Sequence, residues 1–282
     1  MRFTPDRVRS ILEETAAEVV LPRFRALQTH EVREKDSGEL ITIADLEAER
    51  RIAPRLEALL PGSRVIGEEA AESDPGLLER LDEEYWLWVV DPIDGTGNFA
   101  RGKPDFAMMV GLIHGGETVG AWIHRPVAGT TAIAEAGAGA REGSTRLTVA
   151  SAPHTVAAMA GTLHADSFAP AEMARLIRNR RERVAAVKSL RCAGLEYLRL
   201  ARGEMHFSLF TRLMPWDHVP GTLIHVEAGG VARTLDGRPY RARSLGRPGL
   251  LMAPDAAAWS GLFALLFGES AYARVLEDPP EP

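Results

Sequence analysis

Residues 86–99 read WLWVVDPIDGTGNF. An uninterrupted apolar run of this kind suits a strand covered on both faces. This one breaks into two carboxylates, Asp91 and Asp94, joined through Pro92 and followed by Gly95 and Thr96. Any fold of this chain must therefore open at the end of an internal strand, so that the acids face something other than core. Pro92 has a fixed φ and no N–H to donate, which frees the Asp91 and Ile93 carbonyls to point away from strand pairing. Two carboxylates this close and partly dry repel each other unless one protonates or a cation lies between them. Hard oxygen donors with no Cys or His nearby favour Mg²⁺, with Mn²⁺ or Ca²⁺ as alternatives. Gly95 and Gly97 let backbone N–H groups approach an anion, as a nest does. A metal beside a nest suits a phosphate. The same residues also read as an Asx-Pro turn closing a strand, and both readings stay open at this point.

The pattern changes along the chain. Thr4-Pro5 marks a helix start, with Val8, Ile11, Leu12, Thr15 and Val19 at helical spacing and Pro22 ending or kinking the helix. KDSGELIT reads as a turn between short strands, and a second helix runs from Thr42 to the Pro61-Gly62 stop. SRVIGEE is a short strand running into acid. From Asp105 to Glu142, short apolar runs separated by Gly and Pro predict an antiparallel meander. From about residue 150, strands and helices alternate, the helix starting near Trp216 ending at Gly229-Gly230. The expectation is an α+β part over 1–148 and an α/β part over 149–282, with the last residues, EDPPEP, frayed.

Composition narrows the function. A net charge of −6 argues against nucleic-acid binding, and the arginines of RLIRNRRERV read as the wet side of a helix. Cys192 is the single cysteine, so no intrachain disulfide can form, and it reads as a small buried residue. MRFTPDRVRSIL has no apolar signal core and no run reaches membrane-spanning length. A cytoplasmic protein with no membrane partner is expected.

Four other acids have local readings of their own. Glu68-Glu69 ends an apolar strand and reads as a solvated turn; Asp217, behind Trp216, reads as a first-turn helix acid; Asp45 is the third helical residue of a Thr42-x-x-Asp45 capping box. Spacing alone does not bring any of them to Asp91.

Taken together and in order, GEE, WVVDPIDGTGNF and PWDHVPGTLIHVEAGG resemble the inositol monophosphatase family of magnesium-dependent, lithium-sensitive sugar-phosphate phosphatases. The resemblance covers nearly the whole chain and implies a layered αβαβα sandwich of the inositol monophosphatase / fructose-1,6-bisphosphatase type. It implies metal ligands at Glu68, Asp91, the Ile93 carbonyl, Asp94 and Asp217 for two Mg²⁺ ions, with a third, weaker one known in the family. It further implies phosphate-binding amides at Gly95 and Thr96, and a catalytic set of Thr96, Asp45 and Glu68 that orients and deprotonates a metal-activated water. The substrate is then a small phosphomonoester and the assembly a homodimer. Fructose 1,6-bisphosphate, histidinol phosphate and 3′-phosphoadenosine 5′-phosphate are substrates of similar proteins. A non-enzymatic reading is a regulatory protein that binds metal and sugar phosphate; such a protein should lack a ligand, and none is missing here.

The substrate pocket departs from the inositol-acting pattern. Phe210 stands where an acidic residue commonly contacts ring hydroxyls, and Arg191-Cys192 replace a small Gly-Ser-Ala-type turn. Arg191 and Phe210 are thus the expected substrate contacts, Arg191 suiting an extra anionic group. His218, right after Asp217, reads either as a group that supports the metal ligands from behind or as an ordinary helix side chain, the latter being favoured.

Overall fold

A computed structural model describes residues 4–35, 37–164 and 171–268 of the chain. The tail 277–282, expected to fray, lies outside the described residues. Helix α1 (Pro5–Thr15) follows Thr4 and buries Val8, Ile11, Leu12 and Thr15. It continues through a π-helical turn, Ala16–Val20, into the short α2 (Leu21–Arg23). Pro22 therefore lies in the first turn of α2, where its missing N–H does little harm, and the chain turns extended at Phe24. Strands β1 (Val32–Glu34) and β2 (Leu40–Thr42) pair antiparallel, and α3 (Ile43–Leu59) follows at once.

A seven-stranded sheet is built next from β3 (Arg64–Gly67), β4 (Leu87–Asp94), β5 (Ala107–His114), β6 (Glu117–Arg125), β7 (Thr130–Glu135), β8 (Gly139–Glu142) and β9 (Thr145–Arg146), in that spatial order. The pair β3–β4 is parallel and the rest is the expected antiparallel meander. The short helices α4 (Glu68–Ser73) and α5 (Thr96–Ala100) begin where β3 and β4 end. The strand expected to run into Glu68-Glu69 stops at Gly67, because those two acids open α4 and are favoured in its first turn.

The remaining elements are β10 (Ala160–Leu163), α6 (Ala171–Arg180), β11 (Ala185–Ala186), α7 (Ala193–Ala201), β12 (Phe207–Phe210), α8 (Pro215–Glu227), β13 (Val231–Thr234), β14 (Leu250–Ala253) and α9 (Ala256–Leu266). The second sheet has the order β11-β10-β12-β14-β13. Its first three strands are parallel, as alternating elements predict, whereas β14 is antiparallel to both β12 and β13. β13 went unforeseen because VART is too short and too polar to show a period. On α6 and the turn after it, Arg175, Arg178, Arg181 and Arg183 face solvent.

The cores define five layers. Trp88, Val90, Met108 and Val110 pack against α1 and α3 on one face of the large sheet. The alternate residues Ala107 and Met109 pack on the other face against Leu198 of α7 and Ile224 of α8, the period-2 alternation of a pleated strand. That central helical layer also meets Phe210, Leu250 and Met252 of the small sheet. The far face of the small sheet, Phe207, Leu209 and Leu251, is closed by Met173 and Ile177 of α6 and Leu262 of α9. The result is an αβαβα sandwich. Two close approaches set the middle layer. A Cβ at Gly111 would lie 2.6 Å from Val219, and one at Gly221 would lie 2.0 Å from the Tyr197 ring, so α8 sits directly on β5 and α7.

Candidate active site

Because β3 and β4 run parallel with Gly67 opposite Val90, the next residue of each strand, Glu68 and Asp91, emerges at the same sheet edge. Beyond Asp91 the register with β5 shifts, so the segment to Asp94 bulges out of the ladder. Asp217 comes from the first turn of α8, which packs across β4, β5 and β6. Together they line a cleft of about 310 Å³ with Ile93, Gly95, Thr96, Gly97, Asn98 and Trp216.

Asp91, Asp94 and Asp217 each bring a carboxylate oxygen within 4.8 Å of the others. Asp91 is 2 % exposed, yet its buried Oδ1 has no hydrogen-bond partner among the described residues. Burial and the surrounding carboxylates push Asp91 and Asp217 well above the usual carboxylate range. Burial raises Asp94 to about 6, even though Cys192, Gly194 and Ala193 donate to it. A cluster of charged oxygens out of water, with one of them unpartnered, is unfavourable without a counter-charge. The donor set is all oxygen, so these residues fit a hard divalent cation.

Past the bulge, Gly95 adopts φ +86° and opens α5. A Cβ there would lie 3.0 Å from the Asp105 carbonyl and 3.1 Å from Cys192, so the turn needs glycine on both conformational and steric grounds. The Thr96 hydroxyl lies 3.1 Å from Asp45 Oδ1 and 2.9 Å from the Ile93 carbonyl. Asp45 Oδ2 accepts the Thr42 N–H at 2.8 Å and its hydroxyl at 2.5 Å. The capping box and the contact to Thr96 therefore coexist on one carboxylate. Burial, reinforced by the charge of Glu68, raises Asp45 to about 7.

Glu68 reaches the cleft, but its Oε1 accepts from Lys35 Nζ at 2.7 Å, and the same ammonium holds Glu69 Oε1 at 3.0 Å. Behind them Glu49 accepts the Glu69 and Ala70 N–H groups, each at 2.9 Å, and so caps α4. Gly67 makes room for it, since a Cβ there would lie 2.1 Å from the Glu49 carboxyl carbon. Lys35 and Glu49 were missed in the sequence. Glu49 lies one helical turn after Asp45 on the same face of α3, a spacing that could have flagged it; nothing local marks Lys35.

Arg191 lines the cleft. Phe210 does not: it is 6 % exposed in the central core, stacked on His164 at 4.6 Å and on Tyr197 at 5.5 Å. The expectation of a substrate contact at Phe210 is thus corrected, because β12 is covered on both faces. Cys192 is buried, as expected, and is bonded to Asp94. His218 is more than a helix side chain. Its Nε2 faces the Arg212 carbonyl at 2.8 Å and its Nδ1 the Tyr197 hydroxyl at 2.8 Å. A carbonyl only accepts, so the proton is on Nε2 and Nδ1 accepts from Tyr197. Burial lowers His218 to about 4, and the neutral ring braces the loop before Asp217. Among the described residues no helix is long and apolar enough to cross a membrane.

The chain is 29% identical over 213 residues to a fructose-1,6-bisphosphatase/inositol-1-monophosphatase of Thermotoga maritima, covering 75% of this chain and 78% of the relative. It is 32% identical over 216 residues to an inositol-1-monophosphatase of Mesorhizobium japonicum, covering 76% and 79%. In structure it resembles inositol monophosphatase II of Staphylococcus aureus with a TM-score of 0.79, at 21% identity and over 96% of each chain, a likeness of fold alone. The profile of the inositol monophosphatase family matches residues 6–268, and the chain belongs to that family.

Proposed function

We propose that this protein is a Mg²⁺-dependent phosphomonoesterase that hydrolyses a small sugar or polyol phosphate by direct attack of water. One observation carries the reading: the unpartnered, buried Asp91 Oδ1 inside the Asp91–Asp94–Asp217 cluster, beside the glycine turn at 95–97. Glu68, Asp91, the Ile93 carbonyl, Asp94 and Asp217 would hold the Mg²⁺ ions, with Mn²⁺ as a substitute. When bound, the ions lower the pKa of coordinated water and offset charge on the phosphoryl and leaving oxygens.

The chain's own groups do the rest. The Gly95 and Thr96 amides hold phosphoryl oxygens at a turn that needs no rearrangement. Thr96 Oγ1, placed by Asp45 and the Ile93 carbonyl, orients the attacking water and passes its proton toward Asp45, with Glu68 alongside. Lys35 holds Glu68 and Glu69 in position. In this reading residues 1–148 carry most of the ligands and 149–282 contribute Asp217 and the rim. The named relatives favour inositol 1-phosphate and fructose 1,6-bisphosphate as first substrates to try. The test is release of inorganic phosphate from a panel of phosphomonoesters, including histidinol phosphate and 3′-phosphoadenosine 5′-phosphate. Turnover of at least one sugar or polyol phosphate is expected, and none on any member would refute the reading.

A further inference from the structure

Glu196, on the first turn of α7, is a fully buried carboxylate that the proposed reaction leaves unused. Its two oxygens serve different parts of the fold. On the side of the small sheet, Oε2 accepts the Thr162 hydroxyl and the His164 Nε2–H, each at 2.7 Å. Ser208 of β12 lies opposite Thr162 of β10, and their hydroxyls are 2.6 Å apart. On the side of the cleft, Oε1 accepts the Ser189 hydroxyl at 2.6 Å and the Leu190 N–H at 3.1 Å. A carboxylate this deep in a core is unfavourable unless donors surround it. Burial works against its charged form, yet the His164 contact and the Ser189 and Thr162 hydroxyls hold its carboxyl below the usual range.

What Oε1 holds is the wall behind the glycine turn. The Leu190 carbonyl accepts from Asn98 Nδ2 at 2.8 Å, and the Asp105 carbonyl accepts from the same group at 2.7 Å. Both side-chain amide protons of Asn98 are therefore committed to backbone. Asn98 is buried on α5, and its own N–H donates to the Gly95 carbonyl at 2.7 Å. The next residues of the wall touch Gly95 itself: a Cβ there would lie 3.1 Å from Cys192 Cβ and 3.4 Å from the Arg191 carbonyl oxygen. Arg191 has φ +55°, a left-handed conformation that only Arg25 shares among the described non-glycine residues. Such a conformation persists only where surrounding contacts fix it. Here they are the Ser189 hydroxyl, which accepts the Arg191 N–H at 2.9 Å, and Glu196 behind it.

We infer that Glu196 is a positioning residue for the reaction: through Ser189, Leu190 and Asn98 it sets the turn whose Gly95 and Thr96 amides take the phosphoryl group. This rests on the phosphomonoesterase reading above and adds to it a residue that touches no substrate. A turn amide stabilises an oxygen only if its N–H already points where that oxygen will be. A displacement of about 1 Å can cost about 10²-fold in rate. The two carbonyls that hold Asn98, one of them hung from Glu196, keep α5 and its leading turn from rotating.

The test measures three quantities: the Kd of inorganic phosphate by calorimetry in Mg²⁺, kcat/KM on the sugar phosphate that wild type hydrolyses best, and the Mg²⁺ needed for half-maximal activity. Ser189→Ala cuts the link on the turn side alone. It should raise the phosphate Kd about tenfold and lower kcat/KM about 10–100-fold, with little change in the Mg²⁺ requirement. Asn98→Ala should do the same from the other end of the link. Ser189→Thr keeps the hydroxyl and should restore both values. Ser208→Ala lies on the sheet side, where Thr162 still donates to Glu196. It should lose stability in thermal unfolding about as Ser189→Ala does, yet bind phosphate and turn over as wild type does. Glu196→Ala should be the most impaired, and the serine variants decide the matter if it does not fold. Three results overturn the inference: wild-type phosphate affinity and kcat/KM in Ser189→Ala, equal losses in Ser208→Ala and Ser189→Ala, which would leave the cluster a stabilising role only, or a change in the Mg²⁺ requirement alone, which would assign the segment to Asp94. A wild type that neither binds phosphate nor hydrolyses any phosphomonoester refutes the activity reading and the inference with it. If wild type binds phosphate without hydrolysing the panel, only the activity reading fails, and the calorimetric comparison still decides.

Discussion

The Thr96 hydroxyl lies 3.1 Å from Asp45 Oδ1, although 51 positions separate the two residues in the chain. The contact joins the helix start after β2 to the turn after β4, and it makes a capping carboxylate part of the cleft wall. A hydroxyl has one proton to give, and here two acceptors compete for it, Asp45 and the Ile93 carbonyl. A water bound beside Thr96 therefore meets an oxygen whose lone pairs face it.

Thr96→Ala should lower kcat by about 10²–10⁴-fold, the usual loss when a proton-positioning group is removed, while Mg²⁺ affinity changes far less. Thr96→Ser should keep much of the activity, since the hydroxyl remains. Steady-state kinetics with Mg²⁺ titrations would check this. Equal turnover by the alanine variant and wild type would leave Thr96 as a turn residue only.

The metal-free site predicts an unusual stability profile. Asp91 and Asp217 are pushed up by burial and by neighbouring acids, and Asp94 is raised by burial to about 6. A carboxyl with a folded pKa above its unfolded value holds its proton in the folded state first. Its stabilising effect is present at low pH and is lost as pH rises through about 6 and above. In chelator, Asp91→Asn should therefore melt higher than wild type at pH 8, with the gap closing by pH 5. Mg²⁺ should raise the wild-type melting temperature and affect the variant much less. A variant that melts lower than wild type at pH 8 in chelator would contradict this.

Glu49 holds the first turn of α4, and so Glu68, through two backbone N–H groups. Glu49→Ala should cost about 0.5–2 kcal/mol of stability, as the loss of a helix cap does, and raise the Mg²⁺ needed for half-maximal activity several-fold. Gly67→Ala should destabilise by about 1–3 kcal/mol, because the new methyl group overlaps the Glu49 carboxyl. Denaturant unfolding measures both, and wild-type stability in either variant would count against the account.

Phe210→Ala should act on the fold. Truncating a buried phenylalanine costs about 3–5 kcal/mol, and here it also removes stacking on Tyr197 and His164. Thermal unfolding should show a large loss. A normal melting temperature with an altered KM would instead return Phe210 to the pocket.

What was readable in the sequence is local chemistry. The end of β4, its glycine turn, the capping box at Thr42 and the helix start at Asp217 all follow from residue types at short spacing. The five layers were implied by resemblance, supported by the switch from meander to alternation. What could not be read depends on which elements meet. Glu68 reaches Asp91 because β3 and β4 are parallel and in register, and no spacing encodes that. Lys35 and Glu49 act through contacts across folded layers. Arg191 offers no glycine to announce its left-handed turn. Phe210 departs from its expected place because it ends a strand, FSLF, that is buried throughout, and position relative to Asp217 does not encode that burial.

The central claim is that the Asp91 cluster holds the metal on which phosphate release depends. Its most direct test is a Mg²⁺ titration of phosphate release from myo-inositol 1-phosphate and fructose 1,6-bisphosphate, run on wild type beside Asp91→Asn, with chelator as the zero point. The account predicts saturable activation of wild type, no turnover in chelator, and no recovery of the folded variant at any Mg²⁺ concentration. Full turnover in chelator, or by Asp91→Asn, would contradict it.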